Sequence, residues 1–322
     1  MSLKKFLNIV LLTTLISIGF KAEAQQLIYS TKFKNYNAEQ KKFNKALEEA
    51  RLELERIEAE KKAREAAIKA KKMAFLNENW SNKKFFAYDR KTIKEPFHLE
   101  FDTLNYTSPI DKDKVITSRF GWRKGRAHNG IDIDLIKGDS IRAILPGKVR
   151  YVKWHGGHGR TVVVRHENGL ETVYAHMTKQ LVKENQIVKQ GDVLGTGGVT
   201  GNARGSHLHL EVRYKGQPIN PEYLFDFSDK NEIRAKDLWV SRKYTNAVNF
   251  SSRRKPKIAV HSTKEEAEKS SKVQKKIYRI RSGDTLSKIA YRNNMSITQI
   301  CKLNKISRNK TLRIGQKLIL IE

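Results

Sequence analysis

The stretch His207-Leu208-His209-Leu210-Glu211-Val212-Arg213-Tyr214 decides how the middle of this chain folds. Polar and apolar residues alternate, the pattern of a strand with one face in a core. Leu208, Leu210, Val212 and Tyr214 take one face; His207, His209, Glu211 and Arg213 take the other. Two imidazoles on one open face can reach one metal ion, although such a pair also suits two surface histidines.

Upstream, His128-Asn129-Gly130-Ile131-Asp132 supplies a further imidazole and a carboxylate. A fully extended path between His128 and Asp132 would span about 13 Å, too far for two groups each about 2 Å from one ion. The chain must bend between them, and Gly130 makes a bend cheap. Seven of the nine histidines lie between His128 and His209. His176 ends the run Leu170–His176, in which Val173 and Ala175 read as core-facing and His176 shares a face with Thr172 and Tyr174. There it suits proton transfer beside a metal. His155 and His158 flank Gly156-Gly157 and read as loop lining; His166 closes a strand. Together with Ser140–Leu145, Lys148–Lys153 and Thr161–His166, these runs predict a compact, mainly antiparallel β domain over residues 109–227.

The ordered set His128-x-Gly-x-Asp132, Tyr174-Ala-His176 and Gly205-Ser-His207-Leu-His209 closely resembles the M23 peptidases (lysostaphin-like, LytM-type). The resemblance implies that His128, Asp132 and His209 bind Zn2+. It also implies that His176 and His207 position or deprotonate water and stabilise the oxyanion. The implied activity is hydrolysis of the peptide cross-links of bacterial peptidoglycan. Some relatives have lost their ligands and act only as activators of cell-wall amidases, whereas all five positions are kept here. Asn129 and His158 depart from the family's usual residues without removing a ligand. No HExxH is present, which argues against a thermolysin-like site.

Residues 277–322 form a further unit. Tyr278-Arg-Ile-Arg-Ser-Gly-Asp-Thr-Leu286, Ile289-Ala290 and Leu312-x-Ile-Gly-Gln316-x-Leu318 resemble a LysM domain of strand, helix, helix, strand. That resemblance implies binding of N-acetylglucosamine-containing glycans, with Gly283, Asp284, Thr285 and Ile314 lining the groove. Cys301, the one cysteine, reads as a small buried hydrophobe and precludes an intrachain disulfide.

The remaining sequence frames these units. Residues 1–24 read as a cleaved signal peptide: Lys4 and Lys5, an apolar run too short to span a bilayer, then Ala22-Glu23-Ala24. Export to the periplasm, cell wall or exterior is therefore expected, with no membrane span in the mature chain and no nucleic-acid partner despite a net charge of +30. That charge favours an acidic wall polymer, or else lies on solvated faces and linkers. Residues 38–76 lack Gly and Pro and predict a long helical stalk. Phe43, Leu47, Ala50, Leu54 and Ile57 form a coiled-coil-like seam for self-association or a protein partner. Residues 77–108 read as an irregular connecting segment, and 228–276 as a basic linker in which Trp239 and Val240 could dock.

Overall fold

A computed structural model describes residues 36–88, 93–123, 125–271, 275–293 and 295–321. The expected signal peptide lies outside them. The chain divides into two compact units, up to Lys71 and from Lys72 onward. The first is built on helix α1 (Tyr36–Asn77). Good helix formers make it, and i,i+4 pairs such as Arg51–Glu55 at 3.2 Å and Arg56–Glu60 at 3.1 Å lace its surface. Of the seam residues, Phe43, Leu47 and Leu54 are exposed. No helix among the described residues is long and apolar enough to cross a membrane.

The second unit centres on an eight-stranded antiparallel sheet. Its strands are β2 (Ile116–Ser118), β3 (Ile131–Asp134), β4 (Gly147–His155), β5 (Gly159–Arg165), β6 (Leu170–Met177), β7 (Ile187–Val188), β8 (His207–Tyr214) and β9 (Gln217–Ile219); β1 (Phe97–Glu100) lies outside it. The spatial order is β7-β4-β5-β6-β8-β3-β2, with β9 also on β8. Central β8 pairs His209 with Asp132 of β3 and with Ala175 of β6. Leu208, Leu210 and Val212 are fully buried in the main core, as their alternation requires.

On β6 the faces are the reverse of the expectation. Tyr174 enters the main core, whereas Val173 joins a small cluster with Phe85, Tyr151 and Val163. Cross-strand partners share a face, so Ala175 and Val173 lie on the side of their partners His209 and Glu211. Both faces of β6 are covered, and apolarity alone could not rank them.

The flanking segments are also more ordered than their composition suggests. Residues 228–271 are not a free linker: Leu238, Val240 and Tyr244 are fully buried in the main core. β10 (Asp237–Val240) pairs with β1, Leu99 opposite Leu238 and Phe97 opposite Val240. Two short strands far apart in sequence complete each other, so neither had enough apolar residues to declare itself alone. Within residues 77–108, the stretch from Glu78 to Phe85 is strapped to the sheet by two fully buried arginines. Arg150 donates to the carbonyls of Ser81, Lys84 and Phe85, and Arg165 to that of Glu78. Both guanidiniums also bind Glu171.

The C-terminal region follows the predicted order: β11 (Lys275–Arg279), α3 (Leu286–Arg292), α4 (Ile297–Asn304) and β12 (Lys317–Ile321), with α2 (Lys264–Ser271) preceding it. β11 and β12 pair antiparallel around a core that includes Ile280, Ile289, Ile300, Cys301 and Leu320. Thr285 caps α3, and Ser296 forms a capping box with Gln299 on α4.

Candidate metal centre and catalytic histidines

β8 supplies His207 and His209, β3 supplies Asp132, and His128 ends the short strand that leads into β3. The chain bends at Gly130, but the main reason for glycine there is space. A Cβ would sit 2.4 Å from the Leu210 carbonyl oxygen and 2.9 Å from Glu211 Cγ. This close approach lets His128 fold back onto Asp132, with Nε2 2.9 Å from Oδ1.

Asp132 Oδ1 also lies 2.8 Å from His209 Nδ1, and His209 Nδ1 lies 3.1 Å from His128 Nε2. The other nitrogen of each ring fixes its tautomer. His128 Nδ1 donates to the Arg119 carbonyl at 2.7 Å, leaving a lone pair on Nε2. His209 Nε2 donates to Glu211 Oε1 at 3.2 Å, leaving a lone pair on Nδ1. Two nitrogen lone pairs and a carboxylate therefore converge on one point, and only a positive charge reconciles them. This donor set fits a metal cation.

The electrostatics show the same demand for positive charge at this point. Burial pushes Asp132 up, but His128 and His209 outweigh it and hold the carboxyl well below the usual range. Burial opposes charge on His209, yet its bonds to Asp132 and Glu211 raise it to about 9, so a proton and a metal cation compete for Nδ1. Burial keeps His128 below its ordinary value. Arg123 donates to the second oxygen, Asp132 Oδ2, at 2.8 Å.

His176 and His207 come together beside these donors, their ring centroids 4.7 Å apart. Strand alternation would send His176 toward the core with Tyr174. Its backbone instead adopts a φ of 63°, rare for a residue with a side chain, and its ring lies 5.7 Å from that of His209. His176 Nδ1 donates to the Thr200 carbonyl at 2.8 Å and His207 Nδ1 to that of Gly205 at 2.8 Å. Each ring thus keeps a lone pair on Nε2. Burial, with His209 and His207 nearby, lowers His176 to about 4, so it is neutral at neutral pH.

Sequence reading missed Glu211 as a functional group. It is buried, and its carboxylate meets His209 Nε2 and His158 Nε2 at 3.2 Å each and Arg213 at 2.6 Å. Burial would raise it, but Arg213, His158 and His209 hold it well below its ordinary value. The signal was available: strand alternation put Glu211 and Arg213 on the face of His209. His155, the other loop histidine, stacks on Phe85 of the strap at 3.7 Å.

In the C-terminal region, Ile280 N–H donates to the Gln316 carbonyl at 2.9 Å, and Gly315 N–H to that of Ile280 at 2.8 Å. The two expected glycan-binding loops are thereby set side by side. Gly283, Thr285 and Ile314 are exposed there. Asp284 is instead engaged within its own domain, accepting from Tyr278 OH and Arg281 N–H at 2.8 Å each and from Arg292 at 2.9 Å.

Residues 126–221 match the model of peptidase family M23, and residues 278–320 that of the LysM domain. The DD-carboxypeptidase/endopeptidase Mpg of Neisseria meningitidis serogroup B is 37% identical over 139 residues, covering 41% of this chain and 30% of that protein. The peptidoglycan DD-endopeptidase ShyB of Vibrio cholerae is 36% identical over 120 residues, 35% of this chain and 28% of that one. The murein hydrolase activator NlpD of Escherichia coli is 39% identical over 109 residues, 34% and 28% of the two chains. The matches span less than a third of the length of these relatives. A solved zinc-containing peptidase from Vibrio cholerae is 34% identical at a TM-score of 0.35, covering 37% of this chain and 39% of that one. The chain thus carries a peptidase family M23 domain followed by a LysM domain.

Proposed function

We propose that this chain is a zinc-dependent endopeptidase that hydrolyses peptide cross-links of bacterial peptidoglycan, brought to the wall by its LysM domain. The observation that carries this reading is the meeting of His128 Nε2, Asp132 Oδ1 and His209 Nδ1, no two more than 3.1 Å apart. Two imidazoles and a carboxylate would hold zinc with an open position; bound there, it supplies Lewis acidity and brings water's pKa to about 7. His176, neutral at working pH, accepts the proton of the attacking water through Nε2. His207 is half-buried with Nε2 3.8 Å from Asp132 Oδ1, so it borders the same opening. Once protonated, it can donate to the oxygen on which charge develops. Arg123 and the Arg119 carbonyl hold Asp132 and His128 in place throughout. The exposed loop residues Gly283, Thr285 and Ile314 form the glycan-facing surface, and a wall substrate suits a protein exported to the periplasm, cell wall or exterior.

A second reading, an activator of a cell-wall amidase, draws on the exposed Phe43, Leu47 and Leu54 of α1, which suit a protein partner or self-association. The intact set of five residues favours the enzyme. Purified protein incubated with muropeptide dimers, followed by mass spectrometry, is expected to yield monomers. His209→Ala and chelator-treated protein should leave dimers intact. Intact dimers with zinc-loaded protein, and stem release only when an amidase is added, would reverse the order of the two readings.

A further inference from the structure

Away from the M23 site, the C-terminal domain and the chain from Arg242 to Ser271 enclose a cleft of about 750 Å³. Eight lysines and arginines line it, and no Asp or Glu does among the described residues. Lys255, Lys257 and Lys269 stand on one wall, Lys276 and Arg292 on the other. Phe250, Met295 and Ile321 add apolar atoms to the lining. The two walls are tied together. The Arg254 guanidinium lies 3.5 Å over the Tyr291 ring and donates to the Tyr291 carbonyl, and the Gln299 amide donates to the carbonyl of Val248.

Arg292 is paired with Asp284 and Arg242 lies 4.0 Å from Glu95, but positive charge remains in excess around the cleft, and a polyvalent anion relieves the resulting repulsion. The apolar part of the lining selects among anions. A fully hydrophilic phosphate polymer gains nothing from it, whereas a peptide that alternates carboxylates with methyl groups matches both features. We propose that the cleft binds the carboxylate-bearing stem peptides of peptidoglycan, giving the protein a second contact with the polymer beside the glycan surface of the LysM domain. This rests on the reading of the chain as a wall-directed protein. Two weak contacts on one polymer reinforce each other through effective concentration.

The test uses the full protein and its Lys257→Glu/Lys269→Glu double variant, two exposed positions outside the M23 site. Four probes are titrated at low salt: free stem peptide, chitooligosaccharide, stem peptide with its carboxylates amidated, and polyphosphate. The wild type should bind free stem peptide, and amidation should weaken it. The double variant should lose about tenfold in stem-peptide affinity, with a shallower salt dependence, while its chitooligosaccharide affinity stays unchanged. Equal stem-peptide binding by both proteins would overturn the cleft assignment, as would tighter binding of polyphosphate than of stem peptide. Stem binding without chitooligosaccharide binding would support the cleft and remove the LysM glycan reading instead.

Discussion

Glu211 Oε1 lies 3.2 Å from His209 Nε2, on the side of the ring away from Asp132. The carboxylate fixes the tautomer that leaves Nδ1 free to ligate, and it raises the basicity of that nitrogen. Glu211→Gln keeps the shape and removes the charge. Partners of this kind typically contribute 10–100-fold in metal affinity. The variant should bind zinc at least ~10-fold more weakly in a chelator competition, and because buried Arg213 also loses its carboxylate partner, it should melt at a lower temperature even in excess zinc. Unchanged zinc affinity would leave Glu211 a purely structural residue.

The limits of sequence reading here are physical. The alternation of His207 to Tyr214 was sufficient for β8, because one face meets a large core and the other meets polar groups. It failed on β6, because Phe85 of the strap buries the site-side face as well. Val173 is then apolar for a reason seated 88 residues upstream. Leu238 and Val240 carried the period-two pattern of a strand, but their partners Leu99 and Phe97 lie more than 130 residues earlier. His176 reached the site through a backbone conformation that no side-chain pattern encodes.

The strap makes its own energetic claim. Glu171 accepts from two buried guanidiniums, with Arg165 Nη2 at 2.8 Å and Arg150 through Nε. Breaking a buried ion pair by removing one partner costs about 3–5 kcal/mol. Arg150→Met leaves Glu171 still paired with Arg165 and frees only the carbonyls of residues 81, 84 and 85, so its cost should fall near the lower end. Glu171→Gln leaves two buried cations without a counter-charge and should cost more. Urea unfolding should rank the variants in that order. Hydrogen exchange should show residues 78–88 opening first in Arg150→Met. The reverse ranking would mean that the carbonyl contacts, not the charge pairing, hold the strap.

A buried histidine outside the candidate metal centre sets a stability limit at acid pH. His166 donates from Nδ1 to the Pro146 carbonyl at 2.8 Å, and its Nε2 lies 2.9 Å from Thr172 Oγ1. Complete burial lowers it to about 4, against the opposing pull of that carbonyl and of Glu171. In the unfolded chain it titrates near 6.5. Between these values the unfolded state binds the extra proton, so stability falls as pH falls. The contribution is fully present above pH ~6.5 and is lost as pH drops through ~4, a total of ~3 kcal/mol. Replacing His166 with Asn removes the titration at some cost in packing at every pH. Urea midpoints measured at pH 7.5 and 4.5 should therefore converge between wild type and His166→Asn as the medium is acidified. If the gap between the two proteins stays constant, the imidazole is not held neutral, and acid sensitivity must be sought among the carboxylates.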